Sequence, residues 1–328
     1  MNPLKTKAVI SQSDEILQRL TLLHPKVIDL SLGRVLCLLE ELENPQDKTP
    51  SIIHIAGTNG KGSTLSFIRA GLEANNKIVH AYISPHLRTF NERITLRGKI
   101  IKDTALSDYL ERCEKYNSQN NITFFEITTC AAFLAFSEHQ ADYTLLEVGL
   151  GGRLDATNVI KNPIMSIITP ISMDHEQFLG DSIIKIAAEK AGILKPNIPA
   201  IIGKQSAEVL DRICSIAKDL ETPLSIYGRD WISKNFKNKL IYEDSDGVVE
   251  LPAPKLLGPH QFENAGIAIS ALKKLKNNAE IYKKAMINVS WPARLQKLTF
   301  GPMVSQVKTL PYSVTIWIDG GHNEAAGK

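Results

Sequence analysis

Cysteine is scarce. The four residues Cys37, Cys113, Cys130 and Cys214 show neither metal-ligand nor redox spacing, so a cysteine-built zinc site or a disulfide scaffold is excluded and reduced core thiols are expected. Long apolar runs are missing too: nothing approaches the ~18 uninterrupted residues of a membrane-spanning helix. The opening stretch MNPLKTKAVISQSDEILQRL lacks the apolar core and small-residue cleavage site of a secretory leader. A charge of one sign is lacking, since the 328 residues carry a net +3 and Lys and Arg are scattered, leaving no footprint for a nucleic acid or an anionic membrane. Internal repeats and low-complexity segments are absent. With 43% hydrophobic and 22% charged residues, the remainder reads as an ordinary folded protein, a cytoplasmic monomer with room for more than one domain.

What is present is an alternation of buried strands and helices. Apolar runs at 51–56, 78–83, 143–148, 164–169 and 200–203 read as strands. Helical spacing recurs at 65–74, 104–116, 128–139, 182–194, 207–220, 263–276 and 279–288. Continuous apolar strands separated by helices predict an α/β fold with a mainly parallel sheet covered by helices on both faces. Residues 231–251 change character and suggest a β-rich insert. After Trp291-Pro292, the segments 295–300, 304–307 and 314–319 read as strands opening a second, Rossmann-like α/β domain, which the sequence leaves incomplete.

Between the first strand and its helix lies GTNGKGST: Gly57, Thr58, Asn59, Gly60, Lys61, Gly62, Ser63 and Thr64. The common phosphate loop, G-x-x-x-x-G-K-[ST], places its lysine six residues after the first glycine. Here the step from Gly57 to Lys61 is four. The strand-to-helix context still predicts a phosphate loop, because glycines let backbone N–H groups approach phosphate and the helix start favours negative charge. A plain glycine turn is the simpler alternative, and three glycines with a lysine in this context outweigh it. Ser84, Glu147 and His175 fall at or just beyond the carboxyl ends of predicted strands, the edge where open α/β sheets gather ligands. A hydroxyl, a carboxylate and an imidazole there would suit Mg²⁺ together with phosphate oxygens. Lys190 follows Ile183, Ile186 and Ala187 on one helical stripe, so at least partial burial is expected. Burial lowers a lysine's pKa and makes a neutral amine available to CO₂, whereas a lysine snorkelling to water near a helix C-terminus is the simpler account from the residues alone.

GTNGKGS resembles the folylpolyglutamate synthase and dihydrofolate synthase family, relatives of the Mur ligases, whose loop has this short spacing. IDLSLGRV (28–35), SPHLRTFNERI (84–94), EVGLGGRLDATN (147–158), DHEQFLG (174–180), EKAGILK (189–195) and WPARLQ (291–296) match the same family in its order and span nearly the whole chain. The resemblance implies an ATP- and pterin-binding Mur-ligase-like domain over 1–295 and an incomplete C-terminal glutamate-ligase domain over 296–328. It implies ATP and Mg²⁺, the metal held by Ser84, Glu147, His175 and a carbamylated Lys190. Lys61, His175, Lys190 and Arg294 are the implied catalytic group. Asn264, Arg294 and Asp319 resemble the family's adenine, phosphate and ribose contacts. The loops at Ile28, Asp29 and Leu30, at Thr123, Phe124, Phe125 and Glu126, and at Leu154, Asp155 and Ala156 resemble its pterin surround, where Phe124 or Phe125 could stack a flat ring and the other pack in the core. His322, in GGHN where the family commonly has G-A-H-N, carries no assigned role.

The implied reaction is an ATP-dependent ligation of L-glutamate to dihydropteroate, to the γ-carboxylate of a tetrahydrofolate, or to both, through an acyl phosphate. No Ser-His-Asp or Cys-His pattern suggests a covalent enzyme intermediate. The apparently truncated second domain opens another reading, a catalytically impaired ATP- or folate-binding remnant; a Mur-type amino-acid ligase is the nearest enzymatic alternative.

Overall fold

The computed structural model describes residues 11–24, 26, 28–310 and 312–327; the leader reading of residues 1–10 lies outside them. The strands, in chain order, are β1 (Ile52–Ala56), β2 (Val79–Tyr82), β3 (Ile94–Leu96), β4 (Lys99–Ile100), β5 (Tyr143–Glu147), β6 (Met165–Ile168), β7 (Ala200–Ile202), β8 (Leu224–Ile226), β9 (Trp231–Phe236), β10 (Lys239–Asp244), β11 (Gly247–Pro252), β12 (Gln296–Lys297) and β13 (Trp317–Ile318). The described residues form two compact units. The first runs up to Ile52 and resumes over Ile78–Pro163; the second takes Ile53–Lys77 and continues from Ile164.

In the first unit the strand order is β4-β3-β2-β5, with β2 and β5 parallel and β3 and β4 antiparallel additions. The sequence patterns missed β3 and β4 because strands of three and two residues are too short to show alternation. The turn between them, Arg97-Gly98, takes positive φ at both residues. The helix Asp103–Asn117 packs against both Gln12–Leu20 and Phe124–Ser137, and Gly33–Glu41 packs on Asp103–Asn117 and Phe124–Ser137. Their shared core includes Leu20, Leu39, Tyr82, Leu110, Phe133 and Phe136, each essentially without exposure. Thr123 starts the helix Phe124–Ser137 with a capping box: its hydroxyl accepts from the Glu126 N–H and the Glu126 carboxylate accepts from the Thr123 N–H.

In the second unit β1, β6, β7 and β8 run parallel in that order. All five residues of β1 are buried, as expected of a strand covered on both sides. The helix after it, Lys61–Ala74, packs on His260–Lys274 and Ala279–Asn288. Gly71 permits that approach, since a Cβ there would lie 2.6 Å from Leu272 Cδ1. Strands β9, β10 and β11 form a separate antiparallel sheet, with a hairpin between Asp244 and Gly247. Near the end, β12 pairs antiparallel with β13. Residues 304–307, expected as a strand, are helical: Gly301 takes φ 107° and Pro302 opens the helix Pro302–Val307, where its missing N–H costs nothing.

His54 lies within β1 and is wholly buried; that burial, with Lys195 nearby, lowers its pKa to about 3. An unfolded imidazole takes its proton near ~6.5. The folded state resists that proton, so the stability contributed here is complete above the unfolded value and is lost as pH falls toward about 3. Acidification from about pH 6.5 to 5 should cost about 2 kcal/mol through this group alone. Thermal melts of wild type and His54→Gln across that window should therefore differ in slope; parallel curves would show that His54 is not held neutral.

Candidate active site

The glycine loop expected to bind phosphate leaves the carboxyl end of β1 and enters the helix at Lys61. Gly57 and Gly60 take φ of 145° and 87°, and a Cβ on either would collide, with Thr169 Oγ1 at 1.9 Å and with Asn264 Oδ1 at 2.3 Å respectively. Gly62 sits against the Trp291 ring, where a Cβ would lie 2.5 Å away. The N–H groups of Thr58 and Asn59 donate to Pro170 O at 3.0 and 3.3 Å, fixing the loop to the segment after β6. Helix geometry gives Lys61, Gly62 and Ser63 no intrahelical acceptor for their N–H groups, which suits an anion. Thr64 is wholly buried beneath the loop.

One carbonyl gathers two lysines. Gly57 O accepts from Lys61 Nζ at 3.0 Å and from Lys190 Nζ at 3.0 Å, and Lys61 also reaches Thr58 O at 3.1 Å. Lys190 is 4% exposed, so the helical stripe foretold its burial and the snorkelling account fails.

His175 starts the short helix Glu176–Leu179 with φ 49°. Partial burial lowers its pKa; Lys190, His322 and Lys61 push the same way, against Asp174, leaving a neutral imidazole able to offer a lone pair. Asp174, His175 and His322 bring ligand atoms within 4.8 Å of one another and could hold a metal ion. Asn323 binds Asn59 by reciprocal amide hydrogen bonds of 3.1 Å and donates to Asp174 at 3.1 Å. Asp174 and Asn323 escaped the sequence reading; their only signal was adjacency to His175 and His322 in DH and HN.

Asn264 is 3% exposed; its amide donates to Gln261 Oε1, and Gln261 in turn donates to Ser63 Oγ at 3.3 Å. Asp319 accepts from the N–H groups of Leu295 and Gly321, both at 2.6 Å, so it ties WPARL to DGG. Arg294 lies at that junction and donates to Ala293 O at 3.0 Å.

In the first unit, Ser84 and Glu147 meet just past β2 and at the end of β5. Ser84 N–H donates to Glu147 Oε2 at 3.1 Å, and Glu147 is 4% exposed. A carboxylate and a hydroxyl there are hard oxygen donors, which fit magnesium. The glycine loop after β5 is held by Asp155, whose carboxylate accepts from Leu150 N–H at 2.8 Å, Thr157 N–H at 3.0 Å and Thr157 Oγ1 at 2.5 Å. Burial raises its pKa despite those donors. Leu154 is half-buried and Ala156 buried in the same loop. Phe125 covers Gly149, where a Cβ would meet the ring at 2.4 Å, while Phe124 packs edge-on to Phe90 with centroids 5.7 Å apart. Both rings pack on the first unit's core. Asp29 and Glu126, on separate predicted pterin loops, are joined through Arg34, which the sequence reading left unassigned.

A glycine-rich strand-to-helix loop at the end of a parallel strand, with a buried lysine on its first carbonyl, fits the nucleotide-binding α/β class, and the Mur ligase middle domain model matches residues 55–272. The similarity extends further. The chain is 34% identical over 309 residues to folylpolyglutamate synthase of Lacticaseibacillus casei, covering 88% of this chain and 69% of the relative. Identity to the dihydrofolate synthase/folylpolyglutamate synthase of Bacillus subtilis is also 34%, over 313 residues, 89% of this chain and 69% of that protein. The solved structure of E. coli FolC with DHPP and ADP superposes with a TM-score of 0.85 at 30% identity, covering 96% of this chain and 72% of that one. The chain belongs to the folylpolyglutamate synthase/dihydrofolate synthase family, the ATP-dependent glutamate ligases of folate metabolism. Among the described residues, no helix is long and apolar enough to cross a membrane.

Proposed function

We propose that this chain, a cytoplasmic monomer, uses ATP to join L-glutamate to dihydropteroate, to the γ-carboxylate of a tetrahydrofolate, or to both. The observation that carries the reading is the shared Gly57 carbonyl, which sets the phosphate-loop lysine and a buried second lysine on one acceptor. A carboxylate resists amide formation in water because its leaving group is poor; phosphorylation supplies a better one. Lys61 would leave its two carbonyls for phosphate oxygens, and the loop N–H groups of Lys61, Gly62 and Ser63 would hold the same charge without reorganising. Arg294 would add a guanidinium to the transferred group, with Asn264 and Asp319 orienting the nucleotide. Magnesium would neutralise phosphate charge; in the second unit His175 and Lys190, once carbamylated, are its candidate ligands, and in the first unit Ser84 and Glu147 are separate hard oxygen donors of the kind it takes. Residues 28–30, 123–126 and 154–156 would face the pterin. In this reading residues 1–295 bind ATP and acceptor, and residues 296–328 belong to the glutamate-ligase domain.

The test is glutamate-dependent phosphate release by the purified chain with dihydropteroate or with tetrahydrofolate. Turnover with dihydropteroate alone makes it a dihydrofolate synthase, and turnover with both makes it bifunctional. Silence with both, while ATP still binds, would overturn the ligase reading in favour of a binding remnant.

A further inference from the structure

We infer that Arg34 is a positioning residue that fixes the acceptor-facing loop and so sets affinity for the pterin acceptor, not for ATP. The inference rests on the reading above that residues 28–30 and 123–126 face the acceptor.

The described part of the segment between the helices Gln12–Leu20 and Gly33–Glu41 has no helix or strand of its own. Ordering it therefore needs specific contacts, because each fixed residue costs about 1–2 kcal/mol of backbone entropy. Asp29 gathers the segment's basic side chains: His24 Nε2 lies 3.6 Å and Lys26 Nζ 3.8 Å from its carboxylate. Arg34 then carries Asp29 to the start of the helix Phe124–Ser137. Its NH1 donates to Asp29 Oδ2 at 3.0 Å and its NH2 to Asp29 O at 2.7 Å. Its Nε and NH2 donate as a fork to the two oxygens of Glu126, both at 3.0 Å.

Glu126 is 4% exposed and already accepts from the Thr123 N–H at 2.8 Å. One guanidinium thus locks a side chain and a carbonyl of one predicted acceptor loop to the capping carboxylate of the other. A lysine could neutralise charge here but could not span three acceptors in a plane. Without the guanidinium, two carboxylates face each other with no cation between them, and the segment loses its main-chain anchor at Asp29. All these partners lie in the first unit, whereas the phosphate loop lies in the second.

The test compares Arg34→Gln and Arg34→Lys in the full chain by steady-state kinetics and by hydrogen exchange over residues 21–32. Arg34→Gln should raise the acceptor KM about tenfold or more, leave the ATP KM within about twofold, and speed exchange in the segment; Arg34→Lys should recover part of the KM. An unchanged acceptor KM with faster exchange would overturn the inference, as would an ATP KM rising in parallel. Should Arg34→Gln not fold, Arg34→Lys takes its place with a smaller shift in the same direction. Titration of wild type with each acceptor, read by intrinsic fluorescence, separates the two claims. Binding by wild type with no loss in the variants sinks only the Arg34 role; no binding by wild type sinks the functional reading and the acceptor role with it.

Discussion

Lys61→Ala should lower acceptor-dependent phosphate release on the order of 10³-fold, equivalent to about 4 kcal/mol of lost transition-state stabilisation. The Lys61 ammonium donates to carbonyls of its own loop, Gly57 O and Thr58 O, so removing it strips no long-range hydrogen bond from the fold. The melting temperature should therefore stay close to wild type while turnover collapses. That separation is the point of the experiment. An ammonium held on neutral carbonyls gains when it exchanges them for phosphate oxygens, and an alanine offers neither charge nor donor. Normal turnover by the variant would remove Lys61 from the site and with it the assignment of GTNGKGST as the phosphate loop.

Gly57→Ala should act on both fold and site. Its φ of 145° is costly for any residue with a Cβ, and the added carbon would stand 1.9 Å from Thr169 Oγ1 and 3.0 Å from Thr169 O. Thr169 is itself fixed, since its N–H donates to Ala56 O at 2.9 Å. Shortening Thr169 to alanine would relieve the hydroxyl clash but neither the backbone contact nor the φ, so it should rescue only in part. Strain and overpacking together should cost about 3 kcal/mol, measured as denaturant midpoint at constant m. Nucleotide affinity should fall at least about tenfold as well, because the carbonyl that holds Lys61 and Lys190 moves with the residue. An unchanged midpoint with unchanged ADP binding would show that the loop tolerates a side chain and that the shared carbonyl matters little.

How much could be read from the sequence depended on whether a feature was periodic or paired. The strand and helix around the glycine loop were legible because β1 is apolar at every position but His54 and the helix stops at Asn75. The burial of Lys190 was legible because a helical stripe is a repeating signal. Residues 304–307 misled because four apolar-flanked positions suit a strand or a helix equally, and the Gly301-Pro302 start decided it. Non-local polar pairing was invisible. The Arg34 fork onto Glu126 spans 92 positions and the Asn59–Asn323 pair spans 264, and no local pattern encodes either. Asp319 and Asp155 were found as motif positions, but that their carboxylates are spent on neighbouring backbone N–H groups emerged only with the fold.

The proposed ligation turns on activation of a carboxylate by phosphorylation at the loop after β1. Dihydropteroate or tetrahydrofolate labelled with ¹⁸O in the reacting carboxylate, incubated with the chain, ATP and glutamate, tests it directly by mass spectrometry of the released phosphate. An acyl phosphate requires one labelled oxygen to leave with each phosphate as the amide forms. Amide product with unlabelled phosphate would contradict the mechanism, and phosphate released without amide would contradict the ligase assignment itself.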